Sequence, residues 1–244
     1  FKNTDKEKIC GLTGDLANME TLYIFKEFFN KTLGSQNIES RDNHTYLNPE
    51  KRENYLFNSS IKGIEEADFI FLLGTNPRFE ATILNARIRK AYLQNKTKII
   101  SLNEMGDLTF PYQSLDGNTE TVKKIIESKH EVSDLIKQAK KPMVIMGQSA
   151  LKSKSSKYIF ESIKLFLEEN NKLSIDWNAL NVISENASTV GAFDLGIYKT
   201  TNGDNEVLKN LEAHKFEIVY LLGLDSINFE KKNEFIIYQG SHGD

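Results

Sequence analysis

Short runs made mostly of apolar residues constrain the fold of this chain more than any other feature of its sequence. Each run is four to seven residues long. Strands that are buried on both faces of a parallel sheet have this pattern, whereas half-exposed strands alternate between apolar and polar residues. The runs therefore predict buried parallel strands at Phe69–Leu73, Lys98–Leu102, Met143–Met146, Phe216–Leu222 and Phe235–Tyr238.

Segments with helical periodicity lie between these runs. Leu22, Phe25 and Phe29 fall on one face of a helix near 19–30, and Asn18 precedes it as a candidate N-cap. The same spacing predicts helices near 79–93, 132–139 and 159–166. Residues 68–102 thus form one βαβ unit and the region 142–170 begins a second, which predicts a doubly wound α/β fold with mostly parallel sheets.

The composition excludes several classes of function. Cys10 is the only cysteine, so the chain has no internal disulfide and no cysteine-ligated iron–sulfur cluster. A net charge of −3 gives no general attraction to nucleic acid, and no apolar run approaches the ~20 residues of a membrane-spanning helix. We expect no metal site either, because the histidines are far apart without zinc-like spacing: His44, His130, His214 and His242.

The most informative short motif is Gly74-Thr75-Asn76-Pro77, between an apolar run and a helix. Ligands of open α/β sheets bind beyond the carboxyl ends of strands, and a helix start can hold a phosphate. Gly74 permits a close backbone approach and Pro77 suits a first helical turn. A tight strand-to-helix turn without any ligand explains the same residues, and spacing alone favours it.

Two further strand–glycine junctions occur, at Gly147 and Gly223. The junctions at Gly74 and Gly223 suggest two crevices or a duplicated nucleotide-type fold, although ordinary turn chemistry explains each as well, and the junction at Gly147 has the same ambiguity. Lys152, Lys154 and Lys157 form a lysine group that could bind phosphate.

Glu65, Glu66 and Asp68 form an acidic group that could act in acid–base catalysis. We expect both groups to be solvated, and we expect no catalytic residue in either.

Several separate stretches of the sequence match one known family. They are Gly63–Asp68, Leu73–Ala81, Asn85–Lys90, Ala139–Val144, Gly191–Gly196, Tyr238–Gly240 and His242–Asp244. In this order along the chain, they resemble the large iron–sulfur subunit of NADH:quinone oxidoreductase (respiratory complex I), which is the seventy-five-kilodalton subunit of mitochondria and its bacterial counterpart. The chain begins without methionine and stops just after an apolar run, so we expect it to be a piece of a longer protein.

The resemblance implies a fold like that of formate dehydrogenase and DMSO reductase, with two Rossmann-like units. By this analogy, residues 1–40 and 138–244 form one discontinuous α/β domain, and residues 41–137 are inserted into it. In the pterin-binding relatives, one nucleotide-contacting loop matches Gly74, Thr75, Asn76 and Pro77, and a second matches the stretch around Gly223.

One departure from those relatives bears on the cofactor. Active molybdenum enzymes commonly supply cysteine or selenocysteine shortly after the segment that resembles residues 37–41, whereas this chain has no thiol there. Soft metal centres are typically bound by thiolates. An oxygen ligand from Ser40 or Asp42 remains an alternative. We therefore expect vestigial loops and no cofactor in this chain, whereas the full-length subunit is expected to carry 2Fe-2S and 4Fe-4S clusters.

The expected role is structural. In the complete complex, electrons pass from NADH to quinone through clusters outside this chain, which by itself is expected to be inactive. Its partners would be other peripheral-arm subunits, on the matrix side of the mitochondrial inner membrane or the cytoplasmic side of a bacterial inner membrane, without direct membrane insertion. The alternatives are part of an active molybdopterin oxidoreductase of the formate dehydrogenase type, or a small nucleotide-binding module.

Overall fold

A computed structural model describes residues 1–41, 43–225 and 227–241. The strands are β1 (Ile9–Thr13), β2 (Ile38–Glu39), β3 (Phe69–Leu73), β4 (Lys98–Ser101), β5 (Gln113–Ser114), β6 (Pro142–Met146), β7 (Leu180–Val182), β8 (Thr200–Thr201), β9 (Asp204–Asn205), β10 (Ile218–Leu222) and β11 (Phe235–Gln239). The α-helices are α1 (Met19–Glu27), α2 (Ser60–Gly63), α3 (Pro77–Glu80), α4 (Thr82–Asn95), α5 (Thr119–Ile126), α6 (Glu131–Gln138), α7 (Gln148–Leu151), α8 (Ser156–Glu169), α9 (Thr189–Asp194) and α10 (Glu206–Glu212).

The chain divides into two compact units. One consists of Phe1–Arg52 together with Glu185–Asp244, and we call it the discontinuous unit. The other is the uninterrupted segment Glu53–Ser184, which we call the continuous unit. Each unit is built around its own parallel sheet.

The sheet of the discontinuous unit has the strand order β11-β10-β1-β2, and all neighbouring strands run parallel. One face packs against α1, where Leu22 and Phe25 are buried, and against the π-helical turn Phe28–Leu33 that follows it, where Phe29 is buried. Gly11 of β1 makes this close packing possible, since a Cβ there would lie 2.4 Å from the ring of Phe29. The other face packs against α10 through apolar residues such as Leu211.

The sheet of the continuous unit has the order β5-β4-β3-β6-β7, again with all neighbouring strands parallel. Its central strand, β3, is buried along its whole length. Ile70 and Leu72 belong to an apolar cluster that also contains Ile88 of α4. Because successive residues of a strand point to opposite faces, full burial means that both faces of this sheet are covered.

The predicted fold class is confirmed. The apolar run Phe69–Leu73 coincides with β3, and the other four runs overlap β4, β6, β10 and β11. The first predicted helix is α1, and Asn18 caps it by accepting a hydrogen bond from the Thr21 N–H at 2.9 Å. The helix predicted near 79–93 is broken into α3 and α4, because Ala81 has a non-helical backbone (φ −154°, ψ 71°).

The two compact units do not coincide with the domain boundaries expected from the sequence. We expected residues 138–184 to join residues 1–40, but they belong to the continuous unit, and residues 41–52 belong to the discontinuous one. The reason is strand pairing: β6 lies alongside β3 over five residues, from Phe69–Pro142 to Leu73–Met146, and β7 pairs with β6. An apolar run does not specify which neighbour it pairs with.

Candidate functional site

The strand order of the continuous unit reverses between β3 and β6. The chain leaves β3 through α3 and α4 to reach β4 on one side, and it leaves β6 through α7 and α8 to reach β7 on the other. In open α/β sheets, ligands bind outside the carboxyl ends of the strands at such a reversal. The ends of β3 and β6 are therefore the candidate site of this unit.

The predicted motif lies at this reversal. Gly74 has φ +63°, a conformation that favours glycine, and Thr75 is fully buried. Asn76 caps α3 by accepting a hydrogen bond from the Arg78 N–H at 3.2 Å, and Pro77 is the first residue of that helix. The structure thus brings Gly74, Thr75, Asn76 and Pro77 together, while the expectation that they form a vestigial loop without a cofactor stays a prediction.

The junction after β6 meets the junction after β3 through the backbone. The Gly147 N–H donates to the Leu73 carbonyl at 3.1 Å, and the Ser149 N–H donates to the Gly74 carbonyl at 3.0 Å. A Cβ on Gly74 would lie 2.4 Å from the backbone nitrogen of Ala150. Both the positive φ and this close approach therefore require glycine at position 74.

Glu80, which no sequence motif singled out, reaches back across both junctions. Its Oε1 accepts a hydrogen bond from the Asn76 N–H at 2.7 Å, and its Oε2 accepts one from the Thr75 hydroxyl at 3.1 Å. The Gln148 N–H, at the start of α7, donates to Oε2 at 3.4 Å. The only sequence signal was a carboxylate four residues after Asn76, at the end of the short helix that Asn76 caps.

The loop after β4 closes a third side of the candidate site. The Asn76 amide donates to the Met105 carbonyl at 3.1 Å, and the Arg78 guanidinium donates to the Asp107 carboxylate at 2.8 Å. The Thr109 N–H and the Arg78 guanidinium together lower the pKa of Asp107. The Asp107 side chain is 74% exposed, so this contact joins the loop to α3 at the surface.

In the discontinuous unit, the carboxyl end of β2 holds a buried ion pair. Arg41 donates two hydrogen bonds to Glu39, from Nη2 to Oε2 at 2.7 Å and from Nε to Oε1 at 3.0 Å. The other terminal nitrogen, Nη1, donates to the carbonyls of Leu47 and Gly203. The Glu39 side chain is 0% exposed and that of Arg41 is 4% exposed. This bidentate geometry compensates for the removal of both charges from water.

The second predicted junction, Gly223, follows β10 in the discontinuous unit, so it does not share a unit with Gly74. It has φ +58°. The backbone here passes very close to the end of β1, because a Cβ on Gly14 would lie 1.7 Å from the Gly223 carbonyl oxygen. The Gly14 N–H donates to the Leu222 carbonyl at 2.8 Å.

The residues near the carboxyl edge of the sheet in the discontinuous unit do not fit a thiolate-bound metal. Cys10 is fully buried inside β1, and burial raises the pKa of its thiol, which disfavours the thiolate form that binds metals. Of the candidate oxygen ligands, Ser40 has a buried hydroxyl without a hydrogen-bond partner in the described part of the chain, and Asp42 lies outside that part. Within the described residues, no three His, Cys, Asp or Glu side chains are grouped to hold a metal ion.

The described histidines have structural contacts. His44 lies 2.7 Å from the Glu212 carboxylate, His130 caps α6, and His214 lies 2.8 Å from the Glu234 carboxylate. The fourth, His242, lies outside the described residues.

The two charged groups considered from the sequence lie on the surface or in ion pairs. The three lysines are exposed. Glu65 pairs with Arg87 and Lys90, and Glu66 pairs with Lys141, so both glutamates have a lowered pKa. Asp68 accepts hydrogen bonds from two backbone N–H groups ahead of β6. These carboxylates lie at the amino end of β3, away from Gly74, and so they do not contribute to the candidate site.

The comparisons with known proteins agree with the fold. A family model described as molybdopterin oxidoreductase matches residues 1–244. The chain is 35% identical to the mitochondrial NADH dehydrogenase (ubiquinone) iron–sulfur protein 1 of Solanum tuberosum, over 98% of this chain and 31% of that protein. It is 35% identical to the NADH-ubiquinone oxidoreductase 75 kDa subunit of Reclinomonas americana, over 98% of this chain and 36% of that protein.

A bacterial relative shows the same pattern. The chain is 33% identical to a subunit of the NADH-quinone oxidoreductase of Rickettsia bellii, over 100% of this chain and 34% of that protein. The predicted resemblance is confirmed, although the chain spans only about a third of the length of these curated relatives. In the described part of the chain, no helix has the length and apolar character needed to cross a membrane. Because the family model matches from the first residue to the last, the chain belongs to the molybdopterin oxidoreductase family.

Proposed function

We propose that this chain is a structural region of the large iron–sulfur subunit of an NADH:quinone oxidoreductase, and that it carries no pterin or metal of its own. Relatives named as subunits of that enzyme match nearly the whole chain at 33–36% identity, which supports the assignment to a subunit. The family model supports a fold that other members use around a molybdopterin cofactor.

One observation carries the cofactor-free proposal. At the carboxyl end of β2, just before the position where a metal-binding relative commonly supplies a thiolate, the chain has the buried ion pair of Glu39 and Arg41. Both oxygens of the carboxylate are already used by the guanidinium, and Arg41 also satisfies two backbone carbonyls. Glu39 Oε1 also accepts hydrogen bonds from the backbone N–H groups of Ser40 and Arg41, so contacts within the chain hold this ion pair. This supports a structural role for this edge of the sheet.

The wider role follows from this proposal. The 2Fe-2S and 4Fe-4S clusters belong to parts of the full-length subunit outside this chain, and electrons pass through them from NADH to quinone. This chain supports the cluster-carrying part of the subunit and contacts other peripheral-arm subunits. The complex holds it on the matrix side of the mitochondrial inner membrane, or on the cytoplasmic side of a bacterial one, and the isolated chain is inactive.

Metal and pterin analysis of the purified complex tests the proposal. We expect iron from the clusters, no stoichiometric molybdenum or tungsten by mass spectrometry, and no pterin fluorescence after oxidative extraction. One molybdenum or tungsten atom per subunit together with pterin would overturn the proposal.

A single observation favours the alternative, an active molybdopterin oxidoreductase. The Ser40 hydroxyl is buried at the end of β2 and has no hydrogen-bond partner among the described residues, so an oxygen ligand is available there. The same metal analysis discriminates, and a Ser40→Ala variant sharpens it. Molybdenum or tungsten that is bound by the native protein and lost in the variant would favour the enzyme, whereas the absence of either metal from both proteins would favour the structural role.

A further inference from the structure

We propose that the carboxylate of Glu80 replaces an anionic ligand at the candidate site of the continuous unit. It accepts the hydrogen bonds that could otherwise bind a small anion, such as a phosphate group, and so it blocks this anion site. This inference rests on the proposed cofactor-free function and adds a physical reason for it.

The Glu80 carboxylate lies in the position of a ligand. It accepts hydrogen bonds from Thr75 and Asn76, which follow β3, and from Gln148, which follows β6. These are the two strands between which the sheet order reverses. The carboxylate therefore lies where open α/β sheets bind their ligands.

The donors to this carboxylate are of the kind that bind phosphate. Two of them are backbone N–H groups and the third is the hydroxyl of the fully buried Thr75. In the described part of the chain, no cationic side chain pairs with Glu80, whereas Glu65 pairs with both Arg87 and Lys90. Neutral, oriented backbone donors are how proteins commonly bind phosphate, and they distinguish this contact from an ordinary surface ion pair.

Glu80 is an exposed residue, but its carboxylate lies close against both junctions. A Cβ on Gly147 would lie 2.6 Å from Glu80 Oε2 and 2.4 Å from the Thr75 Cβ. A phosphate could therefore reach these donors only if Glu80 moved away. Removal of the side chain should create an anion site that the native chain lacks.

The full chain with Glu80→Ala tests the inference by chemical rescue. In chloride, we expect its melting temperature to fall by about 2–4 °C, the shift that roughly one lost hydrogen-bond contribution produces at this length. At equal ionic strength, acetate or inorganic phosphate should restore this loss. Phosphate binding, followed by ³¹P line broadening, should be at least about tenfold tighter than in the native chain.

Two variants serve as controls. Glu80→Gln keeps a side chain in the gap, so it should lose stability without gaining a response to anions. Glu120→Ala removes an exposed carboxylate from the first turn of α5, and it should show neither effect. A Glu80→Ala protein that is unfolded in chloride but folds in phosphate would also support the inference.

Equal responses to acetate and phosphate in native, Glu80→Ala and Glu120→Ala proteins would overturn the inference, as would a Glu80→Ala protein that no anion refolds. Such a result, with no pterin in the native complex, would leave the proposed function intact. Pterin in the native complex would instead overturn the proposed function itself.

Discussion

Arg41 neutralises a carboxylate that has no access to water. The Glu39 side chain is 0% exposed, and its cation comes from Arg41. We predict that Arg41→Met lowers the free energy of unfolding by about 3–5 kcal/mol, because it leaves an uncompensated charge in the interior. Urea denaturation at neutral pH measures the loss.

The matched control is Arg87→Met. Arg87 also pairs with a glutamate, but its side chain is 43% exposed and Glu65 keeps Lys90 as a second partner. Exposed ion pairs contribute little, so this change should cost far less. Similar losses in the two variants would show that Glu39 is solvated in solution.

Glu234 makes the stability of the discontinuous unit depend on pH. The hydrogen bond from His214, assisted by the Lys232 N–H, lowers the pKa of Glu234 from its usual 4.5 to about 2. A lowered folded-state pKa adds stability that is complete above the unfolded value and is lost as the pH falls towards the folded value. We therefore predict that the stability difference between native protein and Glu234→Gln is largest above pH 4.5 and shrinks between pH 4.5 and about 2.

Urea denaturation at several pH values in that window checks the prediction. Glu230→Gln, an exposed change in the same segment, is the control and should show no comparable pH-dependent difference. A difference for Glu234→Gln that stays constant down to pH 3, roughly the middle of the window, would mean that His214 does not stabilise the ionised carboxylate.

At the scale of elements, β3 is the strand on which the continuous unit depends. Ile70 lies in its middle and is fully buried. We predict that Ile70→Asp destabilises the protein by about 3–5 kcal/mol, because it buries an unpaired charge. Thermal and urea unfolding measure the effect, with the fully exposed Ile175→Asp as control. A melting temperature close to that of the native protein would contradict the central position of β3.

The strands differ in how well the sequence predicts them. The strand β3 was predictable because five consecutive apolar residues suit only a site buried on both faces. The strand β1 is equally buried, but its sequence Ile-Cys-Gly-Leu-Thr carries no such run. Its glycine is explained only by the Phe29 ring above it, a contact between segments that local patterns do not encode.

The sequence likewise predicts some residues of the candidate site and not others. Gly74 and Pro77 were predictable, because a strand–glycine–proline order has a local backbone meaning. The contacts of Glu80 with Gln148, and of Arg41 with Gly203, join residues far apart in sequence. Charge and spacing alone do not reveal such partners, since a glutamate in a helix is solvated in most proteins.

At the scale of the whole molecule, the two units differ in continuity. The continuous unit, residues 53–184, contains every strand of its sheet, whereas the other unit needs both ends of the chain. We predict that a fragment of residues 53–184 folds alone and unfolds cooperatively in urea. Circular dichroism and amide proton dispersion in NMR spectra measure this.

The control fragment is residues 41–137, the inserted domain expected from the sequence. It lacks β6 and β7, so it loses the strand that pairs with β3 over five residues. We expect it to remain unfolded or to aggregate through the exposed edge of β3. Cooperative folding of residues 41–137 would support the domain boundaries expected from the sequence.

The near-contact between Gly14 and the carbonyl of Gly223 limits how this protein can diverge over evolution. A methyl group at position 14 already collides with main-chain atoms, so neutral drift there is blocked as long as the turn after β10 keeps its path. A descendant that acquires any larger residue at position 14 must reroute that turn as well. Substitutions after the first strand and after the tenth, more than 200 residues apart, are thus expected to occur together.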